Sequence, residues 1–88
     1  MKRFPKNESY IHGADTLRGH KAVFRNPGGR GFIVLEWNTH HCNWVRENRN
    51  GGGGIHRNAD TLLTDNLRGG PVIIRTLREA LELAGCSV

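Results

Sequence analysis

Ala22-Val23-Phe24-Arg25-Asn26-Pro27-Gly28-Gly29-Arg30-Gly31-Phe32-Ile33-Val34-Leu35-Glu36-Trp37 is the stretch that decides the fold. Its two ends are rich in β-branched and aromatic residues, which suit a pleated, packed surface. Asn26-Pro27-Gly28-Gly29 lies between them and has the composition of a type II turn. Proline presets φ at its second position, and glycine supplies a positive φ at its third. Phe32 to Leu35 is continuously apolar, so the second strand is expected to be covered on both faces and to lie centrally.

Cys42-Asn43-Trp44-Val45-Arg46 predicts a third strand. It leads into Glu47-Asn48-Arg49-Asn50 and Gly51-Gly52-Gly53-Gly54, and the 48–54 stretch is expected to be a mobile glycine-rich loop. Residues 1–9 are polar and interrupted by Pro5, and predict a flexible basic arm ahead of one small domain at 10–88. Thr76 with Glu79 three residues later forms a capping box. Leu77, Ala80, Leu81 and Ala84 share one helical face, Arg78 and Glu82 pair one turn apart, and Gly85 ends the segment. A helix over about 76–84 follows, fed by a strand at Pro71-Val72-Ile73-Ile74. Asn58 to Gly69 predicts a second short helix. The expected fold is α+β: an antiparallel sheet of three to four strands, hairpin 22–37 central, with the C-terminal helix packed on one face.

A fragmentary repeat crosses this layout. Ile11-His12, Ala14-Asp15-Thr16 and Leu17-Arg18-Gly19 recur in order as Ile55-His56, Ala59-Asp60-Thr61 and Leu67-Arg68-Gly69. Each copy is followed by an apolar run ending in arginine, at Arg25 and at Arg75. As a true repeat it would give two equivalent turn–strand units paired in one sheet.

The chain has 88 residues and a net charge of +5. The excess is confined to residues 1–35, which hold seven Lys and Arg against two acids. Residues 36–88 hold six of each sign, and no acid occurs from Thr16 to Leu35. A basic stretch beside a balanced body points to an anionic partner, most commonly nucleic acid. Ten Arg stand against three Lys. The planar guanidinium suits phosphate and bases, and a GC-rich genome would enrich Arg and Gly together, so the layout counts for more than the tally. Met1-Lys2-Arg3 is followed by Pro5-Lys6-Asn7-Glu8, where a signal peptide would be apolar, and no run reaches membrane-spanning length. Two cysteines fall short of a disulfide framework, so the expected setting is the cytoplasm, with no membrane contact. A chain this short builds a small core, and a homodimer or a partner would add order.

The candidate nucleic-acid contacts are Arg18, Lys21, Arg25 and Arg30 along the hairpin, and Arg46, Arg49 and Arg57 around the glycine loop. In the loop cluster Trp44 could stack a base, and glycine amides could approach phosphate. The solvated-face and flexible-loop readings compete with these. No Gly-Lys-Ser/Thr follows the glycines, which argues against a nucleotide P-loop. Thr39-His40-His41-Cys42 has metal-binding residue types, but adjacent strand residues face opposite ways and no second ligand pair completes a site. No metal and no cofactor is therefore expected; a zinc held by His41, His56 and cysteine is the minor alternative.

Gly19-His20-Lys21-Ala22-Val23-Phe24-Arg25-Asn26-Pro27, Thr76-Leu77-Arg78-Glu79-Ala80-Leu81 and the terminal Ala84-Gly85-Cys86-Ser87 resemble the two ends of the HicA family. These are small toxin ribonucleases with a double-stranded-RNA-binding-like fold and one catalytic histidine. The resemblance implies His20 as general acid–base, with Lys21 or Arg25 stabilising a phosphorane-like transition state. Ile55-His56 through Asp65-Asn66-Leu67-Arg68 resembles the tail of an HNH nuclease motif. Three functions stay open. The first is a small basic, non-catalytic protein acting on nucleic acid or a nucleoprotein complex. The second is a toxin-type ribonuclease using His20. The third is a phage or mobile-element inhibitor or accessory protein that binds a host protein.

Overall fold

The 22–37 hairpin is the centre of the sheet in a computed structural model that describes residues 7–46, 54–64 and 70–86. Five strands run as an antiparallel meander: β1 (Tyr10–Asp15), β2 (Gly19–Arg25), β3 (Phe32–Asn38), β4 (Asn43–Arg46) and β5 (Ile55–His56). Two helices complete the α+β fold, α1 (Ala59–Thr64) and α2 (Leu77–Leu83). The sheet therefore has more strands than the three to four expected. The additional members are its edges. β1 (Tyr-Ile-His-Gly-Ala-Asp) is half-buried without a clean two-residue alternation, and β5 is two residues long. Neither carries the period on which strand reading depends.

The apolar residues of β2 and β3 divide between the two faces by simple alternation. Ala22, Phe24, Ile33, Leu35 and Trp37 join Trp44 of β4 against Ala59, Leu62 and Leu63 of α1. Val23 and Val34 face the other way and pack with Ile74, Ala80 and Ala84. Both faces of the central pair are thus covered, each by its own helix, and each buried Leu, Phe or Val adds about 1.5–3 kcal/mol. Phe24 and Trp44 meet edge-on at 5.2 Å, and Trp37 tilts onto Trp44 at 5.3 Å. The sheet curls around α1. Asn7, ahead of β1, donates to Asp60 Oδ1 on α1, while Arg46 of β4 donates to the Leu62 carbonyl.

The β2–β3 loop differs from a type II turn. Gly28 does not take a positive φ. Its N–H donates to Asn26 Oδ1, the Asn26 N–H closes the loop on the Gly31 carbonyl, and the left-handed positions are Gly29 and Gly31, at φ 156° and 102°. The asparagine side chain supplies the turn that glycine was expected to make. Cys42 is also left-handed, at φ 52°, so β4 begins one residue later than expected.

Helix ends follow the sequence closely. Asn58 Oδ1 accepts from the Asp60 N–H at the start of α1. Thr76 Oγ1 accepts from the Glu79 N–H at the start of α2, and Arg78 Nε lies 3.5 Å from Glu82. At its end, the Gly85 N–H donates to Glu82 O and the Cys86 N–H to Leu81 O, with Gly85 at φ 77°: a Schellman closure. Leu77, expected on the inner face, is 39% exposed, and Ala80 and Ala84 make the buried contact. Pro71–Ile74 forms no strand. Ile74 alone bridges Phe32, through two hydrogen bonds of 2.8 Å. The two copies of the sequence repeat agree only in part where both are described: Ile11-His12 and Ile55-His56 each lie in a strand, whereas Ala14-Asp15 ends a strand and Ala59-Asp60 begins a helix. Of the arm expected at 1–9, Asn7 to Ser9 are tied down: Ser9 O accepts from Arg25 N, and Asn7 O from Tyr10 N. Residues 1–6 and 48–53 lie outside the described residues.

Candidate functional site

The hairpin's own length divides its cations. Seven residues of β2 rise roughly 20 Å, with Arg18 in the turn at one end and Arg25 and Arg30 at the other. Lys21 sits mid-strand in register with Glu36 of β3. Arg46 leaves the surface set altogether. It is 2% exposed and its Nη1 reaches Leu62 O at 3.2 Å, because alternation on β4 turns it, like Trp44, toward α1. Arg57 is exposed just after β5, on the far edge from β1, and Arg49 lies outside the described residues.

The loop end gains a cation that the sequence reading did not assign. Arg25 pairs with Phe32, and Phe32 bridges Ile74, so Arg25, Phe32 and Ile74 span two strand spacings, about 10 Å. Arg75 follows immediately. Arg30 is drawn to the same place by Gly31, whose φ of 102° lays the loop against residues 73–74. A Cβ there would stand 2.5 Å from Ile73 Cγ2 and 2.9 Å from Ile74 O. Arg25, Arg30 and Arg75 are all exposed, and among the described residues none has a carboxylate within ion-pair distance. One signal in the sequence marked Arg75: it ends the second apolar run as Arg25 ends the first.

The opposite end of the sheet is different in character. Thr39 N–H donates to Arg18 O at 2.9 Å, which ties the β1–β2 turn to the β3–β4 turn. The two turns enclose an open cleft of about 920 Å³ lined by Leu17, Arg18, Asn38, Thr39, His40 and His41. His40 and His41 lie on a turn, not a strand, and their rings stand 4.9 Å apart, edge to face. Among the described residues no three His, Cys, Asp or Glu side chains are grouped as metal ligands. Cys42 and Cys86 are free thiols.

No protein family, curated protein or solved structure matches this chain. Among the described residues no helix is long and apolar enough to cross a membrane.

His20 is the second residue of β2, beside the β1–β2 turn. It is 1% exposed on the α1 side of β2, with Nδ1 2.9 Å from Asp15 Oδ1 and Nε2 3.2 Å from the Tyr10 hydroxyl. Gly13 makes room for the ring, since a Cβ there would collide with Nε2 and with the Lys21 carbonyl. Burial raises the Tyr10 phenol above its ordinary pKa, and the nearby Cys86 thiol and Asp15 carboxylate add to the effect. Burial likewise raises the Cys86 thiol. The ribonuclease resemblance implied an acid–base contact between His20 and substrate; here the ring is buried, with Asp15 and Tyr10 on its two nitrogens.

Proposed function

We propose that this protein binds the phosphate backbone of nucleic acid, alone or in a nucleoprotein complex, through the loop end of its sheet. The observation that carries the reading is that the chain at Arg25, Arg30 and Arg75 comes together around Phe32, with all three exposed and none ion-paired among the described residues. Guanidinium groups held on a short loop and a strand end suit phosphate oxygens better than a solvated strand face does. Arg18 and Lys21 fall outside this surface.

Salt-dependent fluorescence anisotropy with labelled single-stranded RNA, single-stranded DNA and duplex DNA tests it. Three phosphate contacts predict a log–log slope of about −2 to −3, from roughly 0.7–0.9 per contact. Arg25→Gln/Arg30→Gln/Arg75→Gln should flatten that slope, and Arg18→Gln/Lys21→Gln should leave it. Equal slopes for the two variants would overturn the assignment.

A second reading, docking on a host protein, is favoured by Leu17. Its side chain is fully exposed, at 101%, on a turn fixed by reciprocal Thr16–Gly19 hydrogen bonds and by the Thr16 hydroxyl. A rigid, exposed leucine is a preorganised anchor. Loss of host-protein capture on Leu17→Ala, with nucleic-acid binding intact, would establish this reading beside the first.

A further inference from the structure

Asp15, His20 and Tyr10 form a hydrogen-bonded line on the α1-facing side of the β1–β2 pair, and backbone binding by the arginine end makes no use of it. In the tautomer with the proton on Nδ1, His20 donates to the Asp15 carboxylate and Nε2 accepts from the phenol. This is the arrangement by which a carboxylate orients a neutral imidazole that then takes a proton from a hydroxyl nucleophile.

We propose that Asp15 and His20 activate the Tyr10 hydroxyl as a nucleophile toward a phosphodiester of the bound strand. The substrate class rests on the nucleic-acid reading; the activation of Tyr10 does not. In the step, Tyr10 Oη forms a bond to phosphorus as its proton passes to His20 Nε2. The bond from phosphorus to the leaving sugar oxygen breaks, and that oxygen takes the proton from Nε2. The product is a tyrosyl phosphodiester and a free hydroxyl end, with no electron transfer. Tyr10 is the catalytic residue, while His20 and Asp15 act through it.

One feature supports the assignment: His20 is held in one orientation by burial and by the space Gly13 leaves, so Nε2 stays beside the phenol. Burial raises the phenol, so it stays a neutral hydroxyl and needs a base to remove its proton. Among the described residues, the titratable groups beside Tyr10 include Asp15 and His20 from the sheet and Cys86 from the segment after α2. Asp60, held by Asn7, is the carboxylate on α1, which packs on the same face.

Tyr10 is the chain's single tyrosine, so labelling is unambiguous. The full chain is treated with an aryl sulfonyl fluoride and read by intact mass and peptide mapping, and in parallel with labelled single-stranded DNA and RNA read on denaturing gels. Tyr10 should be modified faster than N-acetyltyrosine amide, with a rate that reaches its plateau well below the pH at which its own phenol ionises. Asp15→Asn, at a 43% exposed position that tolerates exchange, should slow labelling about 100-fold and remove that plateau while the thermal melt stays in place. Tyr10→Phe should abolish both the label and any denaturation-stable adduct with nucleic acid. Labelling no faster than the free amide, or unchanged in Asp15→Asn, would overturn the activation. Relay-dependent labelling with strand binding but no adduct would overturn the phosphodiester as substrate. Absence of strand binding would overturn the nucleic-acid reading and this substrate class together, with the sulfonyl fluoride still deciding whether Tyr10 is activated.

Discussion

Arg46→Ala separates a structural arginine from a nucleic-acid contact, because the two roles move different observables. The side chain is 2% exposed and donates from Nη1 to the Leu62 carbonyl, joining β4 to α1 at the centre of the larger core cluster. Truncation removes a hydrogen bond from a charged donor, about 1.5–3 kcal/mol, and leaves space where the stem and guanidinium packed. The loss should total about 2–4 kcal/mol. For a domain of this size each kcal/mol lowers Tm by roughly 4–8 °C, so the melt should fall by about 10–25 °C. Arg46→Met fills much of the same volume without a buried charge and should retain most of the stability. The assays are a thermal melt by circular dichroism and the salt slope of nucleic-acid binding, measured well below the variant's Tm. A melt shifted by only the few degrees typical of surface substitutions, together with a slope reduced by about 0.7–0.9, would refute the buried placement and restore Arg46 to the binding surface.

Gly13→Ala should cost about 1–3 kcal/mol in a urea melt, because the new Cβ meets the Lys21 carbonyl as well as the His20 ring, and backbone cannot swing aside. Thr76→Ala should lower stability by about 1 kcal/mol through loss of the bond to the Glu79 N–H, with no effect on binding at low salt. Absorbance at 295 nm should show Tyr10 ionising above the ordinary value of 10.0. A raised folded-state value means that the native state holds the phenolic proton more tightly than the unfolded chain does. That contribution to stability is whole below about pH 10 and is lost as pH rises from there through the folded-state value. A Tyr10→Phe variant should lack that alkaline loss.

The parts of the fold that declared themselves in the sequence are those with strong local chemistry. Phe32 to Leu35 announced a strand covered on both faces, and Thr76, Glu79 and Gly85 announced a capped helix and its stop. β1 and β5 did not, since an edge strand with Gly13 in the middle and one of two residues lack a hydrophobic period. The proposed arginine surface was half legible. Charge counting grouped Arg18 and Lys21 with Arg25 and Arg30, because a count along the chain cannot see that a seven-residue strand separates its ends, or that Glu36 lies in register with Lys21. Arg75 entered only through the Phe32–Ile74 bridge, a contact between segments far apart in sequence. Arg46 was misassigned because its direction depends on strand phase, which the neighbouring Trp44 fixes only once α1 is known to cover that face. The Asp15–His20–Tyr10 line depends on β1 being a strand, so it disappears from view with it.

The two hydrogen bonds between Phe32 and Ile74 bind the C-terminal segment to the sheet and set the backbone at Arg75 on the far side of Phe32 from Arg25. Local opening at that point would uncover Val23 and Val34 and pull the arginines apart. If the proposed surface binds an anion that spans both arginines, that anion would clamp the tail, suppressing the opening by RT ln(1 + [L]/Kd). Occupancy becomes visible in hydrogen exchange as added protection at the Phe32 and Ile74 amides, far from any change in the rest of the sheet.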